Sequence, residues 1–265
     1  STESGFNMNL DEMINSMTPE VYQRLSTAVE LGKWPDGVAL TAEQKENSLQ
    51  LVMLWQARNN IDAQHMTIDT NDLLNSILQS LERIDYIHPE EIPNIDLYMD
   101  QVTTFMETQL RSTKRYEQDK ILTKTMINNY AKNHLLPPPV KKKYSKEHLL
   151  VLIFIYYFKN LLSIHDIETL LKPLTDTYFQ TSDNFDLSAV YKEVCHLEKS
   201  RISSVQEDIK KLWNESSKSY QDAPSEDQEY LKLFAFICSL SFDVYIKKTI
   251  IEKMIDSFAE KTNDK

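Results

Sequence analysis

The chain has 265 residues, 41% of them hydrophobic and 10% aromatic, which is enough apolar material for packed cores and too much for global disorder. No apolar run reaches the roughly 18 residues of a membrane span. Two cysteines, Cys195 and Cys238, are too few for a disulfide framework, so the sequence points to a reduced, cytoplasmic protein in which each is a small apolar residue. The formal net charge of −11 argues against DNA until its distribution is read. Residues 111–146 hold ten Lys or Arg against Glu117 and Asp119, a local balance of 10 − 2 = +8 that leaves −19 for the remainder. Salt screens exposed charges beyond about 8 Å, so such a patch can hold phosphate on an otherwise acidic body.

Residues 1–7 (STESGFN) lack periodicity and precede Met8, and they read as a tag remnant. Leu10, Met13, Ile14 and Met17 then keep the spacing of a short amphipathic helix. Thr18-Pro19-Glu20 starts a second helix with a hydroxyl cap, a proline at the first helical position and an acid near the positive end of the dipole. That helix carries Val21, Leu25, Val29 and Leu31 and stops at Gly32; Trp34-Pro35-Asp36-Gly37 is a turn. Thr41 and Gln44 form a capping box for a third helix with Leu49, Val52, Met53 and Trp55 on its apolar face. His65 and Asp69 have no partners at metal-ligand spacing and read as surface residues.

The stretch MNLDEMINSMTPEVYQRLSTAVELGKWPDGVALTAEQKENSLQLVMLWQARNN, continuing through DAQHMTIDT, resembles the YeaC-like family of small bacterial proteins of unknown function. All three glycines lie in the first 37 residues, and the character of the chain changes at Thr70/Asn71. This suggests two unrelated proteins joined, with residues 8–70 an engineered fusion carrier; a natural domain fusion is the alternative.

Residues 71–87 are amphipathic through Leu73, Leu74, Ile77, Leu78, Leu81 and Ile84, and His88-Pro89 breaks them. An acidic connector, 90–96, leads to a helix over 96–110 with Val102, Phe105, Met106 and Leu110 inward. This would be the supporting helix of a helix-turn-helix. A long basic connection follows, with room for an extra helical turn. Thr123 caps the next helix, 124–134: Ile127 and Tyr130 face the core, and Lys124, Thr125, Asn128, Asn129 and Lys132 face outward. Asn pairs with adenine in the major groove while Lys and Thr reach phosphate or base edges, so this face suits a recognition helix; an ordinary solvated face is the alternative. Pro137-Pro138-Pro139 stops the helix, Lys141, Lys142, Lys143 and Tyr144 offer a short basic wing, and Ser145 caps an apolar helix that should be the buried centre. Ser163 caps a helix over 164–171 that Pro173 closes.

The run NYAKNHLLPPP, followed by KKKYSKEHLLVLIFIYYFKNLLSIHDIETLL, resembles the winged-helix domain of MerR-type transcription regulators. Residues 71–172 are closer still to the bacterial family catalogued as domain of unknown function 1836. The MerR resemblance implies double-stranded DNA as partner, Thr123 as cap of the recognition helix, and Lys142 and Tyr144 on the wing. The chain departs from that pattern: Asn128 and Asn129 replace an Arg-Tyr, His134 stands where a glycine turns the chain, and the wing lacks its Gly-Tyr-Arg hairpin.

After Pro173, residues 174–187 read as a polar loop, 188–213 as a helix whose three- and four-residue spacings suit a partner helix in the same chain or a second subunit, 214–227 as a linker, and 228–261 as one or two helices rich in aromatics, which could also build an effector pocket. Three glycines in no phosphate-binding pattern exclude nucleotide loops, and the six histidines show no HExxH spacing. The expectation is an all-α chain: a tag remnant (1–7), a YeaC-like three-helix unit (8–70), a winged helix-turn-helix domain (71–173) and a C-terminal helical dimerisation or effector region (174–265). Its expected role is a non-enzymatic, cofactor-free DNA-binding regulator that forms a homodimer and does not engage membranes. A protein-interaction module is the rival.

Overall fold

The computed structural model describes residues 10–58, 70–83 and 86–263. The readings of residues 1–7, of His65 and Asp69 and of Ile84 lie outside the described residues. The described chain is all-α apart from one two-stranded sheet and two isolated antiparallel bridges, and it divides into two compact units, Ser1–Ile84 and Asp85–Lys265.

The first unit comprises α1 (Leu10–Ser16), α2 (Pro19–Leu31), α3 (Ala42–Arg58) and α4 (Thr70–Ser80). Thr18 Oγ1 accepts the Val21 N–H at 3.3 Å, and Gly32 closes α2 at φ +66°, a left-handed conformation free of Cβ strain only for glycine. Thr41 and Gln44 exchange the two bonds of a capping box at 3.0 and 3.1 Å. Ile14, Met17 and Leu51 form one small core and Val29, Leu49 and Val52 another. Val21 and Leu31, assigned to the apolar face of α2, are exposed. The buried face of that helix is centred on Tyr22, Leu25, Ser26 and Val29, a quarter-turn or more away from both. Leu73 of α4 packs against Val29, Leu49 and Val52, so α4, placed by the sequence at the start of the second domain, lies with the first unit.

The second unit holds β1 (Leu97–Tyr98), α5 (Met99–Leu110), α6 (Lys124–Lys132), β2 (Lys143–Tyr144), α7 (Lys146–Lys159), α8 (Ile164–Tyr178), α9 (Leu187–Ser216) and α10 (Ser225–Asn263). Every residue from His148 to Tyr156 of α7 is buried, as befits a helix apolar on all sides, and the core gathers Val102, Met106, Ile127, Tyr130, Leu171 and Tyr191 around it. The connection between α5 and α6 carries one 3-10 turn, Arg111–Thr113, and is held down: Ile121 and Leu122 are buried, and Lys159 Nζ donates to the Ile121 carbonyl at 2.8 Å. Burial lowers the Lys159 pKa.

Several boundaries differ from the sequence reading. Residues 97–98, read as helix, are a strand that pairs antiparallel with the wing, Leu97 opposite Tyr144 and Tyr98 opposite Lys143. The helix α8 runs through Pro173 for a further turn. Leu174 and Tyr178 pack on the core, Thr175 Oγ1 returns to the Leu171 carbonyl at 3.2 Å, and Lys172 pairs with Asp176 at 3.2 Å; together these offset the ladder bond that proline cannot make. Val194 and Cys195 of α9 pack on the main core, and farther along Trp213 meets Phe236 of α10 edge-on at 5.2 Å. Tyr191 of α9 is fully buried, donates its hydroxyl to the Ile87 carbonyl, and has its pKa raised by burial.

Candidate nucleic-acid interface

The site is built from α6 and the hairpin that follows it. Thr123 Oγ1 accepts the Met126 N–H at 3.1 Å and starts α6 where the sequence placed its cap. Ile127 and Tyr130 enter the core, and at 100° per residue this turns Lys124, Thr125, Asn128, Asn129 and Lys132 outward; all five are exposed. The helix stops at Lys132, two residues earlier than the sequence implied, because His134 adopts φ +63°. The N–H groups of Leu135 and Leu136 then both reach the Tyr130 carbonyl, at 2.9 and 3.1 Å, and both leucines are buried. The chain therefore leaves α6 along a fixed path, with histidine in a conformation that costs a residue bearing a Cβ about 1 kcal/mol.

The wing is a hairpin after all. Val140 and Lys143 exchange both backbone hydrogen bonds at 3.0 Å, and the two residues between them, Lys141 and Lys142, sit at φ +49° and +65°. Two consecutive positive φ values define the turn that matches strand twist and is ordinarily filled by Asn-Gly. Here two lysines occupy it, both exposed. Backbone strain held at one place is worth attention when the strained residues share a chemistry, and these share a positive charge. Lys143, half-buried in β2, lies over the Tyr98 ring at 5.1 Å.

Two members of the sequence-derived set differ in setting from the others. Tyr144, grouped with the wing contacts, is buried: it packs edge-on against His148 at 5.5 Å, and burial raises its pKa. Its position in β2 points it to the core face opposite that of Lys143, so it anchors the wing and cannot touch a ligand. Lys124 is exposed yet ion-paired with Asp100 of α5, which offsets part of its charge. A residue the sequence reading passed over is His148. Its Nδ1 accepts the Ser145 N–H at 2.9 Å, which leaves Nε2 protonated to donate to the Pro138 carbonyl at 3.1 Å. It thereby ties the proline exit of α6 to the first turn of α7. Burial lowers its pKa, against backbone hydrogen bonds and Asp96, which raise it. The Ser-x-x-His spacing was a visible signal, since a capping box accepts a side chain at the third helical position.

Away from this face, clefts of about 640 Å³ between α8 and α10 and about 580 Å³ between α9 and α10 open on the C-terminal helices, the second lined by Arg201, Asp208, Asp243 and Lys247. Among the described residues no group of three His, Cys, Asp or Glu side chains comes together to hold a metal, and no helix is long and apolar enough to cross a membrane.

A two-segment, all-α chain is the class these observations define, and comparison with known proteins divides it in the same way. Residues 11–83 match the family described as Protein of unknown function (DUF1315), and residues 87–194 match Domain of unknown function (DUF1836). Over 64 residues the chain is 89% identical to "Uncharacterized protein YeaC" of Escherichia coli (strain K12), covering 24% of this chain and 71% of that protein. Over 64 residues it is 44% identical to "Uncharacterized protein in dagA 3'region" of Pseudoalteromonas haloplanktis, covering 24% of this chain and 69% of that one. Through its N-terminal segment the chain belongs to the family of YeaC. No solved structure matches it.

Proposed function

We propose that the second unit is a double-stranded DNA-binding module of the winged helix-turn-helix kind, and that the chain acts as a non-enzymatic transcription regulator in the bacterial cytoplasm. In this reading α6 lies along the major groove. Asn128 and Asn129 meet base edges, Thr125 and Lys132 reach edges or phosphate, and Lys141, Lys142 and Lys143 hold the backbone beside them. Lys124, already engaged by Asp100, contributes less.

The observation that carries the reading is the pair of lysines at the wing tip. A hairpin whose two turn residues are both left-handed is easiest to build with Asn-Gly, and retaining lysine twice in that conformation makes sense where the charge itself is needed. The exposed polar face of α6 supports it, backed by a core face that fixes the helix in place. The test is selection of bound duplexes from a random pool by the full chain, followed by titration of the enriched duplex. Retention of a defined sequence set, lost on K141A/K142A/K143A, is the expected result; an unenriched pool contradicts the reading.

A further inference from the structure

The helices α9 and α10 run antiparallel from the link at residues 217–224, and Trp213 against Phe236 at 5.2 Å sets their register. Four residues back on α9 and four on along α10, one turn at a time, that register brings Ile209 level with Leu240 and Val205 level with Val244. These four form the apolar walls of the cleft of about 580 Å³. A further turn brings Arg201 near the level of Lys247, while Asp208 and Asp243 fall together at the other end; all four line the cleft. Its two ends are therefore of opposite charge, about 6–10 Å apart along the helix axes at about 1.5 Å per residue. The charges are also uncommitted. Asp243 and Lys247 are four residues apart on one helix, the spacing at which Lys172 and Asp176 pair on α8, yet among the described residues none of the four is ion-paired.

We infer that this cleft binds a small zwitterion whose anionic and cationic ends are joined by an aliphatic chain. Charge decides the class. The lining sums to 2 − 2 = 0, so a simple anion drawn to Arg201 and Lys247 meets carboxylates at the far end, and a simple cation meets the reverse. A molecule with both ends satisfies both. The Arg201 fork holds a carboxylate through two parallel hydrogen bonds, Lys247 adds a point charge, and Asp208 and Asp243 accept from an ammonium. The aliphatic middle covers the apolar walls. In the free chain the like charges gathered at each end repel, and such a ligand relieves both repulsions at once. The volume lies within the roughly 300–1,000 Å³ of small-molecule sites, and the space between helices is a common place for one. The cleft between α8 and α10 has Lys261 as its single charged lining residue and so lacks this two-ended character. The inference asks nothing of duplex binding and survives its failure.

Ligand-observed nuclear magnetic resonance titration of the full chain tests it, with ε-aminocaproate as the probe because its extended length falls in the range between the two ends. Saturable binding at millimolar concentration is expected, with hexanoate and hexylamine each at least about tenfold weaker. Asp208→Asn with Asp243→Asn, and separately Arg201→Gln with Lys247→Gln, should each weaken ε-aminocaproate by at least about tenfold with unchanged far-ultraviolet circular dichroism. All four side chains are half-buried or exposed, so the substitutions leave the helices folded. Lys172→Gln with Asp176→Asn, on α8, should bind as the wild type does. Absence of saturable ε-aminocaproate binding would overturn the inference. So would equal binding of either single-charge analogue, or wild-type binding by either double variant of the cleft.

Discussion

His148 Nε2 donates to the Pro138 carbonyl at 3.1 Å, and through that bond the proline exit of α6 is tied to the start of α7. The ring is buried between Tyr144 and Phe179, at 5.5 and 4.9 Å, so no water replaces either partner. Replacing His148 by Ala leaves the Ser145 N–H and the Pro138 carbonyl unpaired beside a cavity. A loss of about 2–4 kcal/mol in urea-induced unfolding is expected.

The same histidine makes stability depend on pH. Burial lowers its folded pKa below the usual imidazole value of 6.5, so between those two values the unfolded chain binds more protons than the folded one. Its neutral form therefore supports the fold fully above pH 6.5, and this contribution falls as the pH drops through 6.5 toward the lower folded value. Urea midpoints measured between pH 7 and pH 5 should decline in the wild type and decline less in His148→Gln.

At the alkaline end one of the relevant groups is Tyr86, whose ring sits 4.4 Å from Tyr157. Burial first, then the Glu198 carboxylate, pushes its pKa up to about 12 from 10.0. The folded chain thus holds this proton longer than the unfolded one. The associated stability is complete below pH 10 and is lost as the pH rises toward 12. Spectrophotometric titration should show Tyr86 absent from the early phase together with Tyr144 and Tyr191, and Tyr86→Phe should remove one of these late-titrating groups.

Strain at the two turns separates folding from binding. His134→Gly relieves a left-handed residue at the end of α6 and should stabilise the second unit by about 0.5–1 kcal/mol. Replacing Lys141-Lys142 with Asn-Gly suits the hairpin turn better and should also raise stability, while removing two wing charges. Higher thermal stability together with weaker duplex binding is the expected pair of outcomes for that variant. Equal binding would mean the lysines are there for some other reason.

Much of the fold was legible because local chemistry and tertiary packing agree. The caps Thr18, Thr41, Thr123, Ser145 and Ser163 lie where hydroxyls precede apolar periodicity, and all five begin helices. The buried character of α7 follows from its unbroken run of Leu, Val, Ile and Phe. What stayed hidden depends on partners distant in sequence. Leu97-Tyr98 becomes a strand only because Lys143-Tyr144 lies alongside, and two residues show no alternation to read. Tyr144 looks like a contact residue until its place opposite Leu97 turns it into the core. The hairpin itself was masked, since Lys-Lys carries none of the Gly or Asn signal by which such turns are ordinarily found. Pro173 misled in the other direction, because packing by Leu174 and Tyr178 carries the helix past a residue that locally argues for its end.

The most direct test of the central claim is the salt dependence of duplex binding by the full chain and by K141A/K142A/K143A. If these three lysines hold phosphates, the logarithm of the binding constant falls steeply with the logarithm of salt concentration, and the variant's slope is shallower by about 2.7, or about 0.9 for each contact removed. An identical slope for both proteins, or no duplex binding by either at low salt, would contradict the account.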